Sequence, residues 1–216
     1  MLQKKKIVLW TAVIVLLVFL AVVLININKG NSSTYYYQGR TDKFSFQVTK
    51  NGNITQHVIK VYTVEKGVEN QKLIPFDYGP KELEPISLED NVNQKIIGII
   101  TSKNFIYITQ DPRLPNLTQI DSVLAVQEIA KVTGTAPYSV FQIPTRAAYT
   151  YDDNSSKLAE IINCKYANSK ISVILLKLGD ENMIYSENEC VIVEAKNGKD
   201  LRKAATKLVY HLLGVF

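Results

Sequence analysis

Hydrophobic and polar positions divide the chain into one long apolar stretch and a remainder in which short periodic runs alternate with turns. Ile7 to Ile25 (IVLWTAVIVLLVFLAVVLI) holds nineteen residues without a charge, a glycine or a proline. At about 1.5 Å rise per residue, such a stretch matches the ~30 Å hydrocarbon core of a bilayer. Backbone groups find no water there, so the pattern predicts a transmembrane helix over residues 7–25. Trp10 near one end and Tyr35, Tyr36 and Tyr37 beyond the other fit interfacial aromatic anchors, although the tyrosines could equally pack into a domain. The stretch continues into Asn26-Ile27-Asn28-Lys29 with no small-x-small pattern, which favours an uncleaved anchor over a removed secretory signal. A pilin-type leader would carry a Gly just before the run and a Glu near its start, and neither is present.

Beyond the anchor, residues 26–43 read as a polar stalk, and residues 44–216 as an extracytoplasmic globular domain. Phe44 to Val48 alternates with period two, Lys50-Asn51-Gly52-Asn53 turns, and Ile54 to Val64 resumes strand character, which predicts a β-hairpin. Three prolines between residues 75 and 93 disfavour a long regular element and predict a loop. Lys95–Ile100 and Phe105–Thr109 are β-rich runs. A helix through Val123 to Val132 follows, capped by Asp121 or Ser122, with Gly134 just past its end. Ser139–Ile143 reads as a strand, while residues 155–163 fit either a short helix or a loop. Ile171–Leu178 and Cys190–Glu194 are nearly continuous apolar runs, suited to strands covered on both faces. Asp200 then offers an N-cap for an amphipathic helix with Leu201, Ala204, Ala205, Leu208, Val209 and Leu212 on one stripe. Arg202, Lys203 and Lys207 fall on the other side, as an exposed basic edge. The fold class expected is α/β (or α+β) with a mixed sheet and a C-terminal amphipathic helix. A β-rich part would cover residues 44–110 and an α/β part residues 111–216.

The net charge of +5 changes this picture little. Lys4, Lys5 and Lys6 supply three of the 25 basic residues, and all 20 acidic residues lie beyond the anchor among the other 22. That mixture describes a solvated surface rather than a nucleic-acid platform. The three lysines also set the topology. By the positive-inside rule residues 1–6 stay in the cytoplasm and the domain is exported. Export bears on the two cysteines, because Cys164 and Cys190 would meet an oxidising compartment and pair as a disulfide. It also makes the four N-x-[ST] sequons, at Asn31, Asn53, Asn116 and Asn154, glycosylation candidates.

The tail carries a further pattern. Cys164, Ala167-Asn168, the apolar run Ile171–Leu178, the turn Gly179–Asn182, Cys190–Val193, Leu201–Leu208 and Leu212–Gly214 together resemble the tails of uncharacterised archaeal single-pass surface proteins. The resemblance covers about the last fifty residues. It implies an archaeal cell surface and no activity.

The chain carries little recognisable chemistry. There are two histidines, His57 and His211, and each reads more simply as a packed or surface residue than as a catalyst. The sequence holds no H-E-x-x-H, G-x-S-x-G, P-loop or G-x-G-x-x-G, and no cofactor or metal is implied. Asp152-Asp153-Asn154 lacks EF-hand spacing and reads as a turn. Asp111 and Arg113 read as a proline-rich loop. Thr145 and Arg146, held behind Pro144, are the remaining weak functional candidates. The expectation is a non-catalytic interaction or envelope-assembly component at the cell membrane, its partners the bilayer and other envelope proteins. The alternative is a membrane-tethered hydrolase or transferase, recognisable by a pocket of converging, perturbed polar groups.

Overall fold

Period-two alternation builds the first sheet. The computed structural model describes residues 32–65, 67–102, 104–137, 139–152 and 160–216. Four consecutive strands, β1 (Ser33–Gln38), β2 (Lys43–Asn51), β3 (Ile54–Glu65) and β4 (Val68–Phe76), form an antiparallel meander. Tyr35, Tyr37, Phe44, Phe46, Ile59, Ile74 and Phe76 face the core, whereas Tyr36, Lys60, Tyr62 and Leu73 face solvent. Tight turns link β2 to β3 and β3 to β4, at Gly52 (φ 59°) and Gly67 (φ 80°), where a side chain would be strained. The expected hairpin is therefore present within a larger sheet. The stalk is shorter than expected, because residues 33–38 are an edge strand and β2 begins at Lys43. Tyr35 stacks on Phe46 at 5.3 Å and Tyr37 meets Phe216 edge-on at 5.9 Å, and that burial draws the stretch into the domain.

The second sheet is mixed. Its strands are β5 (Ser87–Leu88), β6 (Phe105–Gln110), β7 (Thr145–Tyr149), β8 (Ile171–Leu178), β9 (Met183–Glu187) and β10 (Cys190–Ala195), in the order β5-β9-β10-β8-β6-β7. Strands β7, β6, β8 and β10 run parallel, and β9 is antiparallel to β10. Among the described residues four α-helices complete the α+β fold: α1 (Pro80–Leu83), α2 (Asn91–Ser102), α3 (Asn116–Thr133) and α4 (Gly198–Leu212). Helix α3 is the crossover that parallel β6 and β7 require.

One core joins both sheets. Helix α4 packs on β10, β8 and β9, while its Tyr210 ring meets Phe46 at 5.6 Å and Phe76 at 4.6 Å from the first sheet. Sandwiched in this way, every residue from Ala204 to Leu212 is buried. The exposed basic edge expected for this helix is thus overturned at Lys207, which is 6% exposed. Its Nζ donates to the carbonyls of Leu83 (3.1 Å), Glu84 (3.3 Å) and Ile86 (2.5 Å), in and just after the last turn of α1, where Leu83 O also accepts from Ile86 N.

Other expectations shift for local reasons. Residues 95–100 are helical rather than extended, since Val92, Ile96 and Ile99 recur at helical spacing and are the buried ones. Helix α3 begins at Asn116, before the expected caps; Ser122 is buried and its Oγ donates to Gln119 O. Ser139–Ile143 is a turn, with Gln142 at φ 53°. The cap of α4 is Asn197, whose side chain accepts from Asp200 N at 3.0 Å. The 75–93 loop holds α1, β5 and the start of α2.

The outer face of the mixed sheet carries a smaller cluster of Ala148, Ile162, Val173 and Cys190. Residues 160–167 lie over it, tied by Thr109 Oγ1 donating to Ile162 O at 2.6 Å. Cys164 and Cys190 stand at disulfide distance there, with Cα atoms 5.2 Å apart.

The segment 1–6, the stretch 7–25, the sequons Asn31 and Asn154 and most of 155–163 lie outside the described residues. No helix among the described residues is long and apolar enough to cross a membrane.

Candidate functional site

Helical spacing on α3 places Asp121, Leu124, Glu128 and Lys131 along one side. The end of β4 brings Asp77 toward that side, and the second turn of α4 brings Arg202. Their charged ends converge. Arg202 Nη2 lies 2.6 Å from Asp77 Oδ2, and Nη1 lies 3.7 Å from Asp121 Oδ1. Lys131 Nζ lies 2.6 Å from Glu128 Oε2, hydrogen-bonds the Pro75 carbonyl and sits 4.1 Å above the Phe76 ring. Contact between the helices is close at Gly198, where a Cβ would fall 2.6 Å from Asp121 Oδ2.

Above these groups opens a cleft of about 600 Å³, lined among others by Asp77, Gln127, Glu128, Lys131, Thr145 and Arg202. Burial raises the Glu128 carboxyl pKa against the downward pull of Lys131, and Asp77 pushes it further up. Glu128 Oε2 has its ion-pair partner but no contact with hydrogen-bond angles, and Arg202 Nε is likewise buried without an acceptor. Every cation at the floor faces a carboxylate. The floor therefore works first as a joint that ties the first sheet to α3 and α4. At the rim Gln127 and Thr135 are exposed and open to a ligand.

A second polar group pins the edge strand. Tyr35 OH lies 3.0 Å from His57 Nδ1, and His57 Nε2 lies 3.6 Å from Glu82 Oε1, which accepts from Gly79 N at 2.9 Å. Burial lowers the His57 pKa against the opposing charge of Glu82, and burial pushes the Tyr35 phenol up to about 12. A phenol that holds its proton so firmly is a poor nucleophile, so the Tyr-His-Glu chain works as a latch. A third group, Lys177 Nζ at 2.8 Å and Tyr185 OH at 3.1 Å from Glu194 Oε2, lies at the carboxyl ends of β8 and β10 and is internally paired.

The residues singled out by sequence separate. Thr145 lines the cleft, its Oγ1 3.0 Å from Thr133 Oγ1. Arg146, the next residue on β7, points to the opposite face, where Nη1 pairs with Glu160 Oε1 at 2.8 Å and the guanidinium sits over Phe105. Strand alternation forbids one site from holding both. Asp111 and Arg113 pair within their loop, and Asp111 also accepts from Tyr151 OH at 2.7 Å. His211 Nδ1 contacts the Phe216 main-chain oxygen at 2.6 Å. Asn53 is exposed in the β2–β3 turn and Asn116 opens α3. Sequence reasoning missed Asp77, Glu128, Lys131 and Arg202 as a group. The single available signal was the three-and-four spacing on α3. No group of metal-ligating side chains occurs among the described residues. No family model, no curated protein and no solved structure matches the chain.

Proposed function

We propose that the chain is a membrane-anchored cell-surface protein whose domain works outside the cell as a non-catalytic interaction or envelope-assembly component. The observation that carries this reading is the Cys164–Cys190 pair, brought to disulfide distance from a loop and a strand. Such a bridge persists in an oxidising compartment and, outside hyperthermophiles, is rare in the cytosol. The apolar stretch 7–25 and the three lysines before it supply the matching route, with the N-terminus retained and the domain exported. An archaeal surface, implied by the tail pattern, agrees with this address.

Charge pairing at the floor of the cleft supports the non-catalytic reading, since these ion pairs join the first sheet to α3 and α4. A second reading, a tethered hydrolase or transferase, draws on the raised Glu128 carboxyl beside Asp77 and Arg202. Tagging each end and treating intact cells with protease tests the address. A C-terminal tag that is digested while the N-terminal tag survives supports export, and the reverse result sinks it. Crosslinking in intact membranes then tests the role: recurrent protein neighbours support assembly, and none would remove it.

A further inference from the structure

Seven residues, 26–32, separate the end of the apolar stretch from Ser33, the first residue of β1. At full extension the chain from Ile25 to Ser33 reaches about 28 Å, and the headgroup layer takes up about 6 Å of that. A domain of this length is about 40 Å across. The tether is shorter than the body it holds, so the end of the domain where β1 begins stays beside the membrane.

Register identifies what shares that end. Ser33 lies opposite Val48, and Val48 opposite His57, so the turn at Asn51–Asn53 projects beyond them on the same side. Strand β3 then runs twelve residues away from it, to Glu65. At ~3.3 Å per residue that is about 36 Å, which carries the β3–β4 turn to the far end. On the near tip Ile54 is 61% exposed, although it is an isoleucine in a strand, and Lys50, which lies opposite Thr55, is exposed on the other face of the ribbon. A tip with an apolar side chain on one face and a long cationic one on the other suits the bilayer interface, which accommodates both.

We propose that the β2–β3 tip, through Ile54 and Lys50, rests in the outer headgroup layer. The domain then stands on that end, with the β3–β4 ribbon and its exposed Tyr62 and Val64 turned away from the lipid. This inference rests on the membrane-anchored reading, and Trp10, the protein's single tryptophan, lets the two be tested apart.

The full chain is reconstituted into phosphatidylcholine vesicles with a minor fraction of phosphatidylglycerol. Quenching of native Trp10 by brominated acyl chains reports insertion of the stretch. In a Trp10→Phe background, Ile54→Trp and Val64→Trp are then compared with nitroxide-headgroup lipid as quencher. The expected result is quenching at position 54 about twofold or more above that at position 64, with blue-shifted emission. Equal or weaker quenching at 54, with Trp10 quenched, overturns the orientation and leaves the anchor standing. An unquenched Trp10 overturns the anchor and this inference with it.

Discussion

Lys207 shows how one residue can change role with its surroundings. Its ammonium replaces water for three carbonyls at the end of α1, and the burial that puts it there lowers its pKa against the pull of Glu84. Lys207→Met keeps much of the stem but takes away the buried donor that Glu84 O and Ile86 O share with Leu83 O, so it should cost about 2–4 kcal/mol in chemical denaturation. A loss within error of zero would mean that water satisfies them. The two histidines should make stability depend on pH. Burial lowers both His57 and His211, with Glu82 and the Phe216 carbonyl opposing, and Arg40 and Lys207 lowering His211 further. In the unfolded chain an imidazole binds its proton near pH 6.5. In the fold it does so only at lower pH, so in between the unfolded state holds more protons. Stability should therefore fall as pH drops below about 6.5, by at most about 1.4 kcal/mol per pH unit for each proton. Thermal melts from pH 8 to 5 check this, and His57→Asn with His211→Asn should flatten the slope.

Among the elements, the segment 160–167 is held by hydrogen bonds to β6 and β7 at its start and by the cysteine pair further on. It has little regular structure beyond the three-residue turn at Cys164–Tyr166, and the cysteine pair anchors it to β10 across a sequence separation of 26. In the native protein, alkylation in denaturant without reductant should leave both thiols unlabelled, as mass spectrometry would show. Replacing both cysteines by serine should cost about 3 kcal/mol, as the loop-entropy model gives for this separation. Two labelled thiols in protein from its natural source would remove the bridge and the argument for export that uses it. Helix α4 illustrates the opposite case. It packs on α3 and on the mixed sheet, with Tyr210 meeting the first sheet, and Ala204 and Ala205 are fully buried.

For the molecule as a whole, β1 decides where the domain starts. A chain beginning at Ser32 keeps Tyr35 stacked on Phe46 and latched to His57, and it should fold as a soluble unit with one cooperative transition. A chain beginning at Phe44 loses the strand, uncovers the edge of β2 and empties the sites of Tyr35 and Tyr37. It should lose roughly 3–5 kcal/mol, comparable to deleting a large buried aromatic. Equal melting temperatures for the two would return residues 33–43 to the stalk.

The amino-acid sequence by itself determined the features that depend on neighbours along the chain. These are the length of the apolar stretch, the charge imbalance across it, the hairpin at Phe44–Val64, the strands Ile171–Leu178 and Cys190–Glu194, and the stripe of α4. Each follows from a local period or a local count. The tertiary structure alone decided the rest. Residues 95–100 had apolar side chains enough for a strand, and only packing of Val92, Ile96 and Ile99 settled the helix. Lys207 read as surface because its partners lie more than 120 positions away. The cleft escaped notice because Asp77 and Arg202, 125 positions apart, share no pattern until two sheets close on one helix. Contacts between distant residues carry no period, and a second layer can bury a charge that the chain's own rhythm leaves outside.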